Sequence, residues 1–310
     1  MFERVGRALL ARRPVGRVFL CVLFMLLAVL SFAQAEPTVE RVTPLTISFP
    51  YIKSDPVYEE RSIYIQALLK LILDSTGIPF ILSPADERTV PSSRTAMFMN
   101  QGHFNVAALH TNPDRERLMR PIRIPIFRGL GGWRLLFVRQ ADVDLFEGVA
   151  SLAQLKQLMA GQGHDWPDTP ILTDSGFKLR TSVNRDSLYE MLRLERIDFF
   201  PRGAYEIWHE EGLSQTVDLV IDRHLALRYP TATYLYVAKQ DEALATLLEE
   251  GFETIIADGS FNRLFMSYLG EAIFKAQLDQ RTIFEIPNPS LTAETPLQRK
   301  ALWFHVEELK

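Results

Sequence analysis

The sequence predicts an α/β protein of two lobes, two mostly parallel sheets flanked by helices and joined by two crossover strands. Three observations carry that expectation. Apolar residues alternate at strand spacing and recur at helix spacing in a β-α-β-α-β order over residues 42–109. A second α/β rhythm follows over residues 152–221. Two buried-type apolar runs, one beginning at Trp133 and one at Ala232, separate and rejoin the blocks.

Each element has a local reason. Leu45, Ile47 and Phe49 alternate with polar residues, so residues 42–52 read as a strand that breaks at Ser54-Asp55-Pro56. Tyr64, Leu68, Leu71, Ile72 and Ser75 share one face of a helix over 59–75, closed by Gly77. A second strand is expected over 78–82, a helix capped by Ser92-Ser93 and running to about Asn100, and a strand over 104–109. Residues 121–127 are extended, and Gly129, Gly131 and Gly132 lead into the short buried-type strand 133–138. Further on, helices are expected over 152–159, 186–194 and 204–211, with strands over 171–173, 198–200 and 217–221. Tyr229-Pro230 introduces the return strand 232–238, and helices follow over 241–250 and 258–269. The tail after Arg281, with Pro287, Pro289 and Pro296, is expected to wrap the surface.

The first 35 residues read as an export signal. Arg4, Arg7, Arg12, Arg13 and Arg17 precede 13 uninterrupted apolar residues, Val18 to Leu30, and Ala33 and Ala35 form a small-x-small cleavage site. A permanent anchor would need roughly 20 apolar residues. Five of the 34 basic residues and one of the 38 acidic ones lie in that segment, leaving 29 and 37 and a net charge near −8. An acidic chain without a dense Lys/Arg cluster argues against nucleic-acid binding. Cys21, the only cysteine, also lies in the leader, so the remainder has no disulfide framework and no thiolate chemistry.

No His-x-x-x-His spacing, P-loop, dinucleotide fingerprint or Gly-x-Ser-x-Gly elbow occurs, so no metal, cofactor or nucleophilic site is expected. Paired acids such as Glu59-Glu60 read as solvated helix faces.

The order of elements resembles the type 2 periplasmic solute-binding proteins, and within them family 3, the polar amino-acid receptors of ABC transporters. Arg134 opens a strand after the glycine-rich crossover, and the return crossover follows at Thr233. The segments RPIRIPI (120–126), GQGHDWPDT (161–169) and RIDFFPRG (196–203) are the most specific pieces. The resemblance implies lobe I from residues 36–132 plus 234–310 and lobe II from 133–233. It also implies a periplasmic monomer that closes on a small polar or anionic solute, with a membrane permease or sensor as partner. Catalysis is not expected, although the same fold also carries dehydratases and accompanies peptidoglycan-cleaving domains.

Site residues follow from the resemblance. Arg134 matches the arginine that pairs with a ligand carboxylate, its other reading being a structural ion pair. Thr111, after a strand end, matches the hydroxyls that hold ligand oxygens, or caps the turn before Asn112-Pro113. Thr181, Ser182 and Asn184 precede a helix and offer free N–H groups to an anion, or simply cap it. The family's ammonium-binding acid is missing: the neighbourhood reads Pro201-Arg202-Gly203, and Glu206 is its possible replacement. Arg202 with Arg134 would make the cleft electropositive, unless Arg202 pairs with Glu206 or Glu210. Tyr51 and Trp133 are candidate walls, with a core position as the other reading of Trp133. Ser93 and Arg94 are candidates at a helix start. Trp166 is expected to anchor its loop by packing rather than to touch ligand.

Overall fold

Helix α1 (Pro56–Thr76) turns Tyr64, Ile65, Leu68, Leu69, Ile72 and Leu73 inward at three- and four-residue spacing, and all are buried. It lies between β1 (Leu45–Tyr51) and β2 (Phe80–Asp86), which pair in parallel. The computed structural model describes residues 43–53, 56–86 and 94–309, of which 44–309 belong to one compact unit. The export signal over 1–35 and the Ser92-Ser93 cap lie outside the described residues.

α2 (Thr95–Asn100), β3 (Val106–His110), α3 (Pro113–Leu118) and β4 (Met119–Ile122) complete the first block. Asn105 ties β1 to the start of β3: its Nδ2 donates to the Thr46 carbonyl at 2.8 Å and its Oδ1 accepts from the Ser48 N–H at 2.8 Å.

The second block contains β5 (Trp133–Arg139), α4 (Leu152–Leu155), β6 (Met159–Gly163), α5 (Asp168–Asp174) and β7 (Lys178–Ser182). It continues with α6 (Arg185–Arg193), β8 (Phe200–Gly203), α7 (Ile207–Glu210), β9 (Leu219–Ile221) and β10 (Leu225–Arg228). β5 is its centre, antiparallel to β8, β9 and β10. Leu135 and Phe137 enter one core and Leu136 and Val138 another, which is why residues 135–138 are all apolar instead of alternating. β6 and β7 pair in parallel, and the Gly161 N–H reaches the Phe199 carbonyl at 2.9 Å.

The return strand β11 (Thr233–Ala238) lies between β3 and β4, antiparallel to both, and α8 (Glu242–Ala257) and α9 (Ser260–Ala276) then cover α1. The antiparallel ladders are thus those of β5 and β11, while the parallel ones lie at the flanks.

The two chain crossings run side by side. The Tyr229 N–H donates to the Gly132 carbonyl at 3.1 Å and the Ile126 N–H to the Thr233 carbonyl at 2.9 Å. A Cβ at position 132 would overlap the Tyr229 carbonyl, so glycine is what allows this approach.

Several local expectations are corrected. Residues 171–173 are helical, within α5: Asp168 and Pro170 sit in its first turn and Gly176, at φ 81°, ends it. The neighbouring strand is instead β7. The tail is not only a wrapping: β12 (Thr282–Glu285) pairs in parallel with β10. Beyond it, the Trp303 ring packs on Gly129 and Glu308 grips Arg128 through two bonds of 2.8 and 2.9 Å. No helix among the described residues is long and apolar enough to cross a membrane.

Candidate functional site

A cleft of about 390 Å³ opens where α1, the end of β3, β5, the loop before α5, β8, α7 and α9 converge. Phe127, Trp166, Tyr205 and Tyr268 supply aromatic wall, and Arg61, Arg134, Arg202, Asp168 and Glu206 supply charge. Two ties close its rim: Glu60 on α1 meets His209 on α7 at 2.7 Å, and the Trp208 indole N–H donates to the Ala272 carbonyl at 3.1 Å.

Both arginines of the second block carry their own carboxylates. Arg134, 3% exposed, donates from Nη2 to Asp168 Oδ1 at 2.5 Å, and the Tyr229 hydroxyl donates to the same oxygen at 2.7 Å. Arg202, 5% exposed, donates from Nε and Nη2 to the fully buried Glu210 at 2.5 to 3.0 Å. Its guanidinium also lies 4.6 Å from the Trp166 ring centre. Burial alone would lower the pKa of Arg202, but Glu210 and then Glu206 hold it well above the usual range. For Arg134 the same opposition is won by Asp168, with Tyr229 and Glu206 assisting. The electropositive cleft expected from these two arginines is therefore neutralised by Glu210, the alternative partner the sequence offered for Arg202, and by Asp168, which the local sequence did not pair with Arg134.

What remains is a separated pair, Arg61 and Glu206. Glu206 Oε2 accepts from the Gly203 N–H at 3.2 Å and lies 3.4 Å from Arg202 and 3.7 Å from Arg134. Its Oε1 has no hydrogen-bond partner among the described residues. Burial pushes the Glu206 pKa up, but Arg202, Arg134 and Arg61 together bring it down to about 2, so it is ionised at neutral pH. Arg61 lies over the Phe127 ring at 5.5 Å and has no ion-pair partner among the described residues. Tyr205 stacks on the same Phe127 at 5.0 Å, and its hydroxyl, on a residue 6% exposed, lacks a hydrogen-bond partner. His110 completes this end; burial and then Arg61 lower its pKa to about 4, so it is neutral.

Of the residues singled out in the sequence, Arg134, Arg202 and Glu206 line the cleft. Thr111 is buried behind it, donating to Glu116 at 2.5 Å and accepting from Tyr236 at 2.9 Å. Trp133 lies on the other side of the crossings, packed edge-on against Phe304. Tyr51 is half-buried beside the first core, and Arg94 is exposed at the start of α2. Thr181 and Ser182 end β7, and Asn184 caps α6 by accepting from the Asp186 N–H. None of these seven lines the cleft, and Ser93 lies outside the described residues. Trp166 does pack its loop, against Gly163, but also forms cleft wall. Arg61, His110 and Tyr205 were missed. Among the described residues, no group of three or more His, Cys, Asp or Glu side chains is arranged to hold a metal ion.

The fold is that of the two-lobed type 2 periplasmic binding proteins. No protein-family model matches the chain, and no curated protein matches it in sequence. Among solved structures, a probable amino-acid ABC transporter extracellular-binding protein from Bacillus subtilis is similar at TM-score 0.56 and 16% identity, covering 74% of this chain and 99% of its own. The BvgS VFT2 domain of Bordetella pertussis is similar at TM-score 0.55 and 18% identity, covering 73% of this chain and 92% of its own. An ancestral arginine-binding protein bound to arginine gives TM-score 0.52 at 15% identity, covering 73% and 98%. At these identities the likeness establishes the fold.

Proposed function

We propose that this protein is an exported solute-binding protein that captures a small amino-acid-like zwitterion and delivers it to a membrane transporter. The single observation behind this reading is the separated pair of Arg61 and Glu206 facing one cavity. A ligand carboxylate is received by the Arg61 guanidinium and the unpartnered Tyr205 hydroxyl, both suited to charge-assisted hydrogen bonding. A ligand ammonium donates to the free Oε1 of Glu206, and the neutral His110 does not repel it. The lobes divide near residues 132 and 233, where the chain crosses, and the described ties Glu60–His209 and Trp208–Ala272 are those of a closed cleft. Ligand favours that state only by as much as it binds it better than the open one. The leader over 1–35 supplies export, and a monomer suffices for the cleft. No catalytic step is assigned.

Titration calorimetry of the leaderless protein, freed of bound solute, tests the reading. Amino acids are expected to bind, while the analogues lacking either the amino or the carboxyl group lose most of the affinity. Equal binding of those analogues would contradict a two-ended site. Uptake tests delivery separately: loss of the gene should abolish uptake of the bound solute, and undiminished uptake would contradict it.

A further inference from the structure

Resting on the zwitterion reading, we infer that the side chain of the bound solute is large and apolar, of the aromatic or branched aliphatic class. Once Arg61, Tyr205 and Glu206 are committed to the two charged ends, the charged groups of the remaining wall are paired within the protein, Arg134 with Asp168 and Arg202 with Glu210. The Tyr64 hydroxyl donates to the Ile126 carbonyl at 2.5 Å, and Glu60 is held by His209. What these elements leave facing the cleft is largely carbon, from Ile63, Phe127, Trp166, Leu269 and Ala272, with the hydroxyls of Tyr58 and Tyr268 and the Trp166 indole N–H as the remaining uncharged polar groups.

Charged side chains are disfavoured for separate reasons. An aromatic wall attracts a cation through its ring faces, but here the rings already carry guanidinium groups, Arg202 over Trp166 at 4.6 Å and Arg61 over Phe127 at 5.5 Å. A cationic side chain would meet like charge. An anionic side chain would have to displace Asp168 or Glu210 from buried pairs, leaving one of those carboxylates uncompensated. An amide would lay most of its polar surface against the carbon of Ile63, Phe127, Leu269 and Ala272. A cavity of about 390 Å³ exceeds what an alanine-sized solute fills, and it falls within the size range of small-molecule pockets. Filling that space with an apolar side chain is worth about tenfold to a hundredfold in affinity over alanine.

Calorimetry with L-phenylalanine, L-leucine, L-alanine, L-glutamine, L-arginine and L-glutamate on the refolded, solute-free protein decides it. Phenylalanine or leucine is expected to bind at least about tenfold tighter than the other four. If glutamine, arginine or glutamate binds as tightly as the better of those two, the apolar assignment is wrong while the zwitterion reading stands. If none of the six binds, the zwitterion reading falls and the assignment falls with it.

Discussion

Arg202 and Glu210 form a fully desolvated pair in which Nε and Nη2 of one meet both carboxylate oxygens of the other. Such a pair gives little net stability over apolar residues of like volume, yet breaking it strands a buried charge. Arg202→Ala or Glu210→Gln should therefore lower the unfolding free energy by about 3–5 kcal/mol, with or without solute. Urea denaturation checks this; unaltered stability of both variants would show that the pair is not formed in solution.

Arg134→Ala should behave the same way. Removing the guanidinium leaves the buried Asp168 with only the Tyr229 hydroxyl, at 2.7 Å. A loss on the order of 3 kcal/mol is expected in the solute-free protein. A variant that keeps full stability but no longer responds to solute would instead make Arg134 the ligand's own partner.

Acid should destabilise the protein in two overlapping windows. His110 has its folded pKa lowered from 6.5 to about 4, so the unfolded chain binds the extra proton and stability falls as pH drops through that interval. Glu206 is lowered from 4.5 to about 2, and its contribution, present above 4.5, is lost as pH falls toward 2. Thermal melts from pH 7 to 4 should decline, and His110→Gln should flatten the decline. An identical slope in the variant would contradict a depressed His110.

Adjacent glycines at the crossing should differ sharply. A methyl at position 132 meets the Tyr229 backbone carbonyl, whereas one at position 131 finds its nearest atom, a His110 ring carbon, at 3.4 Å. Gly132→Ala should cost about 2 kcal/mol or more and Gly131→Ala less than about 1 kcal/mol, as read by denaturant midpoints. Equal costs would mean that the crossing segments are not held this closely.

The scaffold was legible because its signals are local. The apolar runs of β5 and β11 announce strands buried on two sides, and the glycines before Trp133 announce a close crossing. Residues 171–173 failed because so short a run as Ile-Leu-Thr fits a strand or a buried helical turn equally well, and only Asp168 and Gly176 at the two ends decide. The charge arrangement was legible only in part. Arg134 finds Asp168 34 residues away, and no periodicity encodes such a pairing. Arg61 follows Glu59 and Glu60 in a helix, so its neighbourhood resembles a solvated face. Only the packing of α1 against the second block turns it into the cleft.

Arg61 and Glu206 as the two ends of the solute site are the centre of the account, and Arg61→Ala tests them most directly. Thermal melts with and without L-phenylalanine, run on the variant and the parent protein, provide the readout. The expected result is an apo melting temperature close to the parent's with the solute-induced rise abolished, because Arg61 has no ion-pair partner among the described residues to strand. A variant that keeps the parent's full solute-induced rise would contradict the account.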